Sequence, residues 1–176
     1  MSRQSGDGTG QNGRIVFFSK AELNLLEAEG HLRKGPTPDY VAAAALINIS
    51  RTGGMVGGVA TGGGLPAIVT FNATAPVPGG AACVPKVPVN ARPAGSGTLT
   101  CGTMLEAMKY EKRIETVYQH FAGWLLDMRG WGDLAEGTPL QWAPPYQDLQ
   151  SRRRPLYSTG VGTSGGFAAA VGTYGW

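Results

Sequence analysis

Two glutamates are the strongest candidates for acid–base chemistry in this sequence. Glu111 and Glu115 stand one helical turn apart, and a pair of carboxylates can hydrolyse a glycoside when a cleft sets the distance between them. Adjacent turns of one helix do not set that distance by themselves. We therefore expect both carboxylates to form salt bridges, with Arg113 or Arg129 as partners, and we expect no enzymatic activity.

The two histidines do not complete a hydrolytic site. Neither His31 nor His120 has a serine or cysteine nucleophile placed beside it by a recognisable motif. Residues 8–13 have the letters of the dinucleotide-binding fingerprint, G-x-G-x-x-G. That fingerprint requires a strand before it and a helix after it, whereas here an apolar run follows. The sequence therefore predicts no catalytic residue and no cofactor.

Cys83 and Cys101 bracket a Pro- and Gly-rich segment that contains no His, Asp or Glu to complete a metal site. We interpret the two cysteines as a disulfide, which the chain-entropy model credits with about 3 kcal/mol for a loop of this length. Two unpaired thiols in a reducing compartment are the alternative. A disulfide would place the protein in an oxidising compartment, although the N-terminus lacks the apolar core of a secretory signal.

The sequence predicts a pair of helices before residue 52. Ser19 and Glu22 have capping-box spacing, so the first helix should begin at Lys20. A Gly-Pro pair ends it, and Thr37 then caps a second helix that runs from Pro38 to about Arg51. Because only a few residues join the two helices, we expect them to pack antiparallel.

Thr103 and Glu106 repeat the capping-box spacing and predict a third helix. Apolar residues recur in it at intervals of three and four, which predicts a core-facing stripe. The stripe consists of Ala107, Tyr110, Ile114, Val117 and Phe121. A fourth helix is expected over about residues 122–129, and loop is expected after Leu134.

The segment between the second and third helices is expected to be irregular. Residues 57–66 are too rich in glycine for a helix or a strand. From there to Thr100 we expect loop, with at most one short strand, over residues 68–71. No stretch approaches the roughly 20 apolar residues that cross a bilayer.

The composition excludes one fold class and one class of partner. The 28 Gly and 12 Pro of its 176 residues argue against a compact all-helical bundle. The net charge is +3, but the basic residues do not line one helix face, so we expect no nucleic-acid partner.

We expect the chain to be organised in five segments: a flexible Gly-rich lead, a helix pair, a neutral Gly/Pro-rich insert with the disulfide, a charged helix pair with a Pro-rich segment, and a Gly-rich tail. These segments are residues 1–18, 19–51, 52–102, 103–157 and 158–176.

Acidic and basic residues alternate around the third and fourth helices. This pattern predicts a buried or half-buried ion-pair network that joins the two helices, with a tryptophan as an apolar lid. The network would consist of Glu111, Arg113, Glu115, Asp127 and Arg129, and the lid would be Trp131.

Three segments, in their order and spacing, resemble the C-terminal part of the SusD/RagB family of outer-membrane nutrient-binding lipoproteins. The first is residues 28–51, which look like the family's helix pair ending in an I-N-x-x-R segment. The second is the Glu-Lys-Arg-x-Glu helix at residues 111–115 with the Asp-Met-Arg and Trp-Gly of residues 127–132. The third is the proline, glutamine and acidic-leucine turn at residues 144–149.

This resemblance implies a mainly α fold, with helix pairs of the tetratricopeptide type and long Gly/Pro-rich irregular loops. It implies a non-enzymatic protein that captures oligosaccharides or peptides at the cell surface, in the outer membrane, and works with a TonB-dependent transporter. The chain would be the C-terminal portion of such a protein. The alternative is a structural or self-assembly module of helix pairs, which binds no nutrient.

Three aromatic residues in the Pro-rich stretch are the candidate ligand contacts. Their flat faces could stack on a sugar ring, although aromatic residues near prolines also serve to pin a loop to the core. They are Trp142, Tyr146 and Tyr157.

Overall fold

A computed structural model of the chain describes residues 18–53, 55–56, 59–60, 64–89, 98–117, 123–134, 138 and 145–155. Five α-helices and four short strands lie in these ranges, so the fold is mainly α as expected. The chain divides into two compact units. The first unit contains residues 1–89 and 98–121, and the second contains residues 90–97 and 122–176.

The first helix, α1, runs from Lys20 to Arg33 and begins where the capping-box spacing predicts. Its N-cap is Ser19, whose Oγ accepts the backbone N–H of Glu22 at 3.0 Å. This bond satisfies one of the amides that have no partner within the first turn. The helix ends before the Gly-Pro pair, also as predicted.

The second helix, α2, runs from Tyr40 to Arg51 and begins two residues later than predicted. Its N-cap is Asp39 and not Thr37, because the Asp39 carboxylate accepts the N–H of Ala42 at 3.0 Å. A negative charge at this end also suits the helix dipole. The N–H of Asp39 donates to the carbonyl of His31 at 3.0 Å, so the start of α2 lies against the end of α1 and the two helices form an antiparallel hairpin.

The third helix, α3, runs from Met104 to Glu115 and packs against both α1 and α2. Thr103 is its N-cap, but the Thr103 hydroxyl makes no capping hydrogen bond, so the predicted capping box does not form. Glu106 instead accepts a hydrogen bond from Nζ of Lys109 at 3.0 Å. The three helices enclose the core of the first unit. Its buried apolar residues in the helices are Leu25, Ala28, Ala43, Ala44, Ile47, Met104, Ala107 and Met108.

The predicted core stripe of α3 is wrong in its second half. Ala107 is buried, but Ile114 is 57% exposed and Val117 is 48% exposed. The buried face of the helix is instead rotated toward Glu111 and Lys112. Hydrophobic periodicity cannot find such a face, because its charged members are buried by ion pairs with residues far away in the sequence.

The insert between α2 and α3 contains more regular structure than predicted. Strands β1 (Met55–Val56) and β2 (Val59–Ala60) pair antiparallel, and β2 lies within residues 57–66, which were predicted to be too rich in glycine for a strand. Strands β3 (Lys86–Pro88) and β4 (Leu99–Cys101) also pair antiparallel, in a stretch expected to be loop, with Lys86 opposite Cys101. The predicted disulfide between Cys83 and Cys101 is confirmed and adjoins this second ladder.

The expected short strand at residues 68–71 does not form. The backbone of Ile68 bonds to the side chain of Asn48 on α2 instead of to a neighbouring strand. Oδ1 of Asn48 accepts the Ile68 N–H at 2.9 Å, and Nδ2 of Asn48 donates to the Ile68 carbonyl at 3.0 Å. One side-chain amide therefore satisfies both backbone groups of Ile68.

In the second unit, α4 runs from Gly123 to Trp131, two residues further than predicted. Gly132, which follows it, has a φ of 75°, a left-handed conformation that glycine adopts readily at helix ends. Leu134 is buried against Leu125 and Met128. A short helix, α5, runs from Tyr146 to Ser151 where loop was expected, and Pro145 stands at its N-cap.

Several predictions concern residues outside the described ranges. They are the lead with its glycine pattern at residues 8–13, the tail at residues 158–176, and the side chains of His120, Phe121, Trp142 and Tyr157. Among the described residues, no helix is both long enough and apolar enough to span a bilayer.

Candidate functional site

Arg51, the last residue of α2, is the centre of the best-defined polar site. Its side chain is completely buried. Nε donates to the carbonyl of Pro66 at 2.8 Å, Nη2 donates to the carbonyl of Val84 at 2.6 Å, and Nη1 lies 3.4 Å from Oε1 of Glu111. The planar guanidinium has donors in three directions, so one side chain connects α2, two loop segments and α3.

Glu111 supplies the negative charge at this site from the middle of α3. Its side chain is 7% exposed. The pKa of Glu111 is raised to about 6, chiefly by burial; the charge of Arg51 opposes this rise, and the nearby charge of Glu115 adds to it. Burial also lowers the pKa of Arg51, against the attraction of Glu111. An arginine remains protonated at neutral pH, so a buried charge pair joins α2 to α3.

A second set of charges joins α1 to α3. Glu29 of α1 accepts a hydrogen bond from Nε of Arg33 at 2.9 Å. Its other oxygen lies 3.9 Å from Nζ of Lys112, which is buried on α3. Charged side chains therefore join α3 to both α1 and α2.

We refer to Asn48, Arg51, Pro66, Val84 and Glu111 as the Arg51 cluster. Asn48 lies one turn before Arg51 on α2 and fixes Ile68, two residues after Pro66. The carbonyl of Arg51 also accepts the N–H of Leu65 at 3.1 Å. Segment 65–68 is therefore attached along the last turn of α2 by both side-chain and backbone hydrogen bonds.

The disulfide lies beside this cluster. Val84, which accepts from Arg51, directly follows Cys83. The N–H of Gly102 donates to the carbonyl of Pro85 at 2.9 Å, and the carbonyl of Gly102 accepts the N–H of Val77 at 2.8 Å. Gly102 fits this site because a Cβ there would lie 2.8 Å from Cβ of Glu106. The disulfide, Gly102 and the Val84 carbonyl thus form one packed region at the start of α3.

The residues of the predicted ion-pair network lie in two different units of the chain. Glu111 is buried, and its partner is Arg51, which the charge pattern of the third and fourth helices did not include. Arg113 is exposed on α3, and Glu115 is half-buried. Asp127 and Arg129 are half-buried on α4 and Trp131 is buried at its end, all three in the second unit. The signal that could have identified Arg51 was the I-N-x-x-R segment.

Of the three predicted ligand contacts, the structure describes only Tyr146. It is the first residue of α5 and its side chain is 57% exposed. An exposed tyrosine can present an aromatic face to a ligand.

Chemically, the Arg51 cluster is suited to holding segments together. Among the described residues, every buried side-chain nitrogen or oxygen has a hydrogen-bond partner. The same residues contain no group of three or more His, Cys, Asp or Glu that could hold a metal ion. A polar cluster whose bonds are all satisfied internally rigidifies a fold.

The chain has no significant match among models of known protein families, curated proteins or solved structures.

Proposed function

We propose that this protein is a non-enzymatic nutrient-binding component of the cell surface. It would bind an oligosaccharide or a peptide and pass it to a TonB-dependent transporter in the outer membrane. In this proposal the α1–α2 hairpin is a tetratricopeptide-like helix pair, the packed helices are the scaffold, and the aromatic residues of the Pro-rich stretch contact the ligand.

The observation that carries the proposal is the contact between Arg51 and Glu111. Two of the three segments that resemble the SusD/RagB family contain these residues, which are 60 positions apart in the sequence. Lys112 and Glu29 connect the same two segments a second time. The residues that carry the resemblance therefore support one another physically in a single packed unit, which favours a common origin for the pattern over chance.

The disulfide supports the proposed location. Disulfides persist in oxidising environments such as the periplasm and the cell surface and are rare in the cytosol. The Cys83–Cys101 bond joins two residues of the first unit, which is consistent with an exported protein.

A binding screen tests the proposal. The purified, oxidised protein is exposed to a panel of oligosaccharides and peptides, and each hit is titrated by calorimetry. Tyr146→Ala, Trp142→Ala and Tyr157→Ala should each weaken binding about threefold to tenfold, the range expected for losing one aromatic contact. Trp124→Ala is the matched control, because Trp124 is 59% exposed but lies outside the Pro-rich stretch. Failure of a folded protein to bind any member of either class would count against the proposal.

A structural or self-assembly module is the second candidate. The exposed apolar side chains of α4 favour it, since Trp124 and Leu126 are 59% and 64% exposed on one short helix, and exposed apolar surface often marks a protein contact. A mass that rises with protein concentration in light scattering, and falls for Trp124→Ala with Leu126→Ala, would support this candidate. A monomer that binds a glycan or peptide would support the first.

A further inference from the structure

The Cys83–Cys101 disulfide lies next to one of the acceptors of Arg51. Val84 is covalently next to Cys83, and its carbonyl lies 2.6 Å from Nη2 of Arg51. On the other side of the disulfide, Gly102 is next to Cys101 and donates to Pro85 at 2.9 Å. Val84 therefore lies between Cys83, which is bonded to Cys101, and Pro85, which is hydrogen-bonded to the residue after Cys101.

Arg51 also bonds to segment 65–68, which is distant from the disulfide in the sequence. Its Nε holds the Pro66 carbonyl at 2.8 Å, and its own carbonyl accepts the N–H of Leu65 at 3.1 Å. One buried guanidinium thus contacts residues on both sides: Val84 beside the disulfide and Pro66 in segment 65–68. A rigid planar group that bonds to both can transmit movement of one to the other.

We propose that the Cys83–Cys101 disulfide is a redox-sensitive latch for segment 65–68. While the bond is intact, it presents the Val84 carbonyl to Arg51, and Arg51 holds segment 65–68 against the end of α2. When the bond is reduced, Val84 moves away from the guanidinium, and segment 65–68 opens more often.

The chemical step is thiol–disulfide exchange with a dithiol. Cys101 is half-buried whereas Cys83 is 2% exposed, so the thiolate of the reductant attacks Sγ of Cys101. The S–S bond breaks, and its electron pair leaves with Sγ of Cys83, which takes up a proton. The second thiol of the reductant then displaces Cys101 as a thiol, and the reductant becomes a cyclic disulfide. In total, two electrons and two protons pass to the protein.

Hydrogen exchange of backbone amides tests the latch, because single amides report on each part of it. Leu65 reports on segment 65–68, Gly102 and Val77 report on the disulfide region, and Ala28 in α1 reports on the helical core. Exchange is measured by NMR on the full chain, oxidised and after reduction with dithiothreitol. We expect the exchange of Gly102, Val77 and Leu65 to accelerate at least about tenfold, with Ala28 changing much less.

Each other outcome overturns the proposal. Faster exchange of Gly102 and Val77 with Leu65 unchanged would show that the disulfide acts only locally. Equal acceleration of all four amides, Ala28 included, would show that reduction lowers global stability without acting through Arg51. No acceleration at all would show that the ladder of β3 and β4 holds the region without the disulfide.

Two variant forms keep the test independent of the reductant. The paired change Cys83→Ser with Cys101→Ser removes the bond permanently and should reproduce the accelerated exchange of Leu65. Arg51→Lys keeps a positive charge, but its single nitrogen cannot occupy the positions of both Nε, which bonds to Pro66, and Nη2, which bonds to Val84. Leu65 should therefore exchange quickly in this variant whether or not the disulfide is present. A further acceleration of Leu65 on reduction of Arg51→Lys would contradict transmission through the guanidinium. If Arg51→Lys does not fold, the comparison of oxidised and reduced wild-type protein remains decisive.

Discussion

Arg51 and Glu111 lie 60 residues apart in the sequence and 3.4 Å apart in the structure, between Nη1 and Oε1. Both side chains are buried where α2 and α3 pack together. Burying two charges is costly unless they are paired and hydrogen-bonded. Here two backbone carbonyls, those of Pro66 and Val84, also accept hydrogen bonds from Arg51. These bonds explain how a face of α3 that contains charged residues can be part of the core.

Removing the acceptor charge should destabilise the first unit strongly. We expect Glu111→Leu to lower the free energy of unfolding by about 3–5 kcal/mol, because it leaves the Arg51 charge buried without an opposite charge. Glu111→Gln should cost less, since the amide oxygen still accepts from Nη1. Urea unfolding followed by circular dichroism measures both. The control is Glu27→Leu, because Glu27 is 63% exposed in a weak pair with His31 and should change stability by less than about 0.5 kcal/mol. Equal effects of Glu111→Leu and Glu27→Leu would contradict this role of the pair.

The raised pKa of Glu111 gives stability a defined dependence on pH. In the folded state its pKa is about 6, above the ordinary value of 4.5, so between these values the folded state binds more protons than the unfolded state. The contribution of Glu111 should therefore make the protein more stable as pH falls from 7 to 4.5, by at most about 2 kcal/mol. Unfolding measured across this range should show the gain in the wild type, whereas Glu111→Gln should lack it. The same slope in both proteins would assign it to other groups.

Asn48 should contribute far more to stability than Asn72, which makes similar hydrogen bonds in an exposed turn. Asn48→Ala removes both hydrogen bonds to the backbone of Ile68, which is buried, and should cost about 2–4 kcal/mol. Oδ1 of Asn72 also accepts two backbone N–H groups, those of Thr74 and Ala75, but in an exposed turn where water can replace it. Asn72→Ala should therefore cost less than about 1 kcal/mol. Thermal unfolding of the two variants measures both losses of stability. Similar losses would show that the hydrogen bonds between Asn48 and Ile68 contribute no more than those in an exposed turn.

Two glycines should respond to alanine in opposite ways. At Gly102 a Cβ would lie 2.8 Å from Cβ of Glu106 and 3.2 Å from Cγ of Pro85, so Gly102→Ala should destabilise by about 1–3 kcal/mol. At Gly130, inside α4, a Cβ would meet nothing within 4 Å, and Gly130→Ala should stabilise that helix by about 0.5–1 kcal/mol. Melting temperatures of the variants test both signs. A neutral Gly102→Ala would indicate that the start of α3 is loosely packed.

The sequence was sufficient where local chemistry decides the structure. Ser19 and the Gly-Pro pair set both ends of α1, and the absence of metal ligands between Cys83 and Cys101 indicated the disulfide. The capping signal at Thr103 also located the start of α3 at Met104, although the Thr103 hydroxyl makes no capping bond and Glu106 accepts from Lys109. A side chain with two available partners cannot be assigned from spacing alone.

The sequence was insufficient where distant residues decide the structure. Ile114 continues the apolar period of α3 yet is exposed, because Arg51 and Glu29 bury the charged residues on the neighbouring face. Ile68 lies in an apolar run typical of a strand, but the amide of Asn48 takes the place of a strand partner. Both outcomes depend on contacts across the fold, which a local pattern does not contain.

The proposed function is tested most directly by calorimetric titration of the oxidised 176-residue chain with oligosaccharides and peptides, combined with mass spectrometry of each ligand afterwards. We expect saturable binding by a monomer, with the recovered ligand chemically unchanged. Cleavage of the ligand, or the absence of binding by a protein shown to be folded, would contradict it.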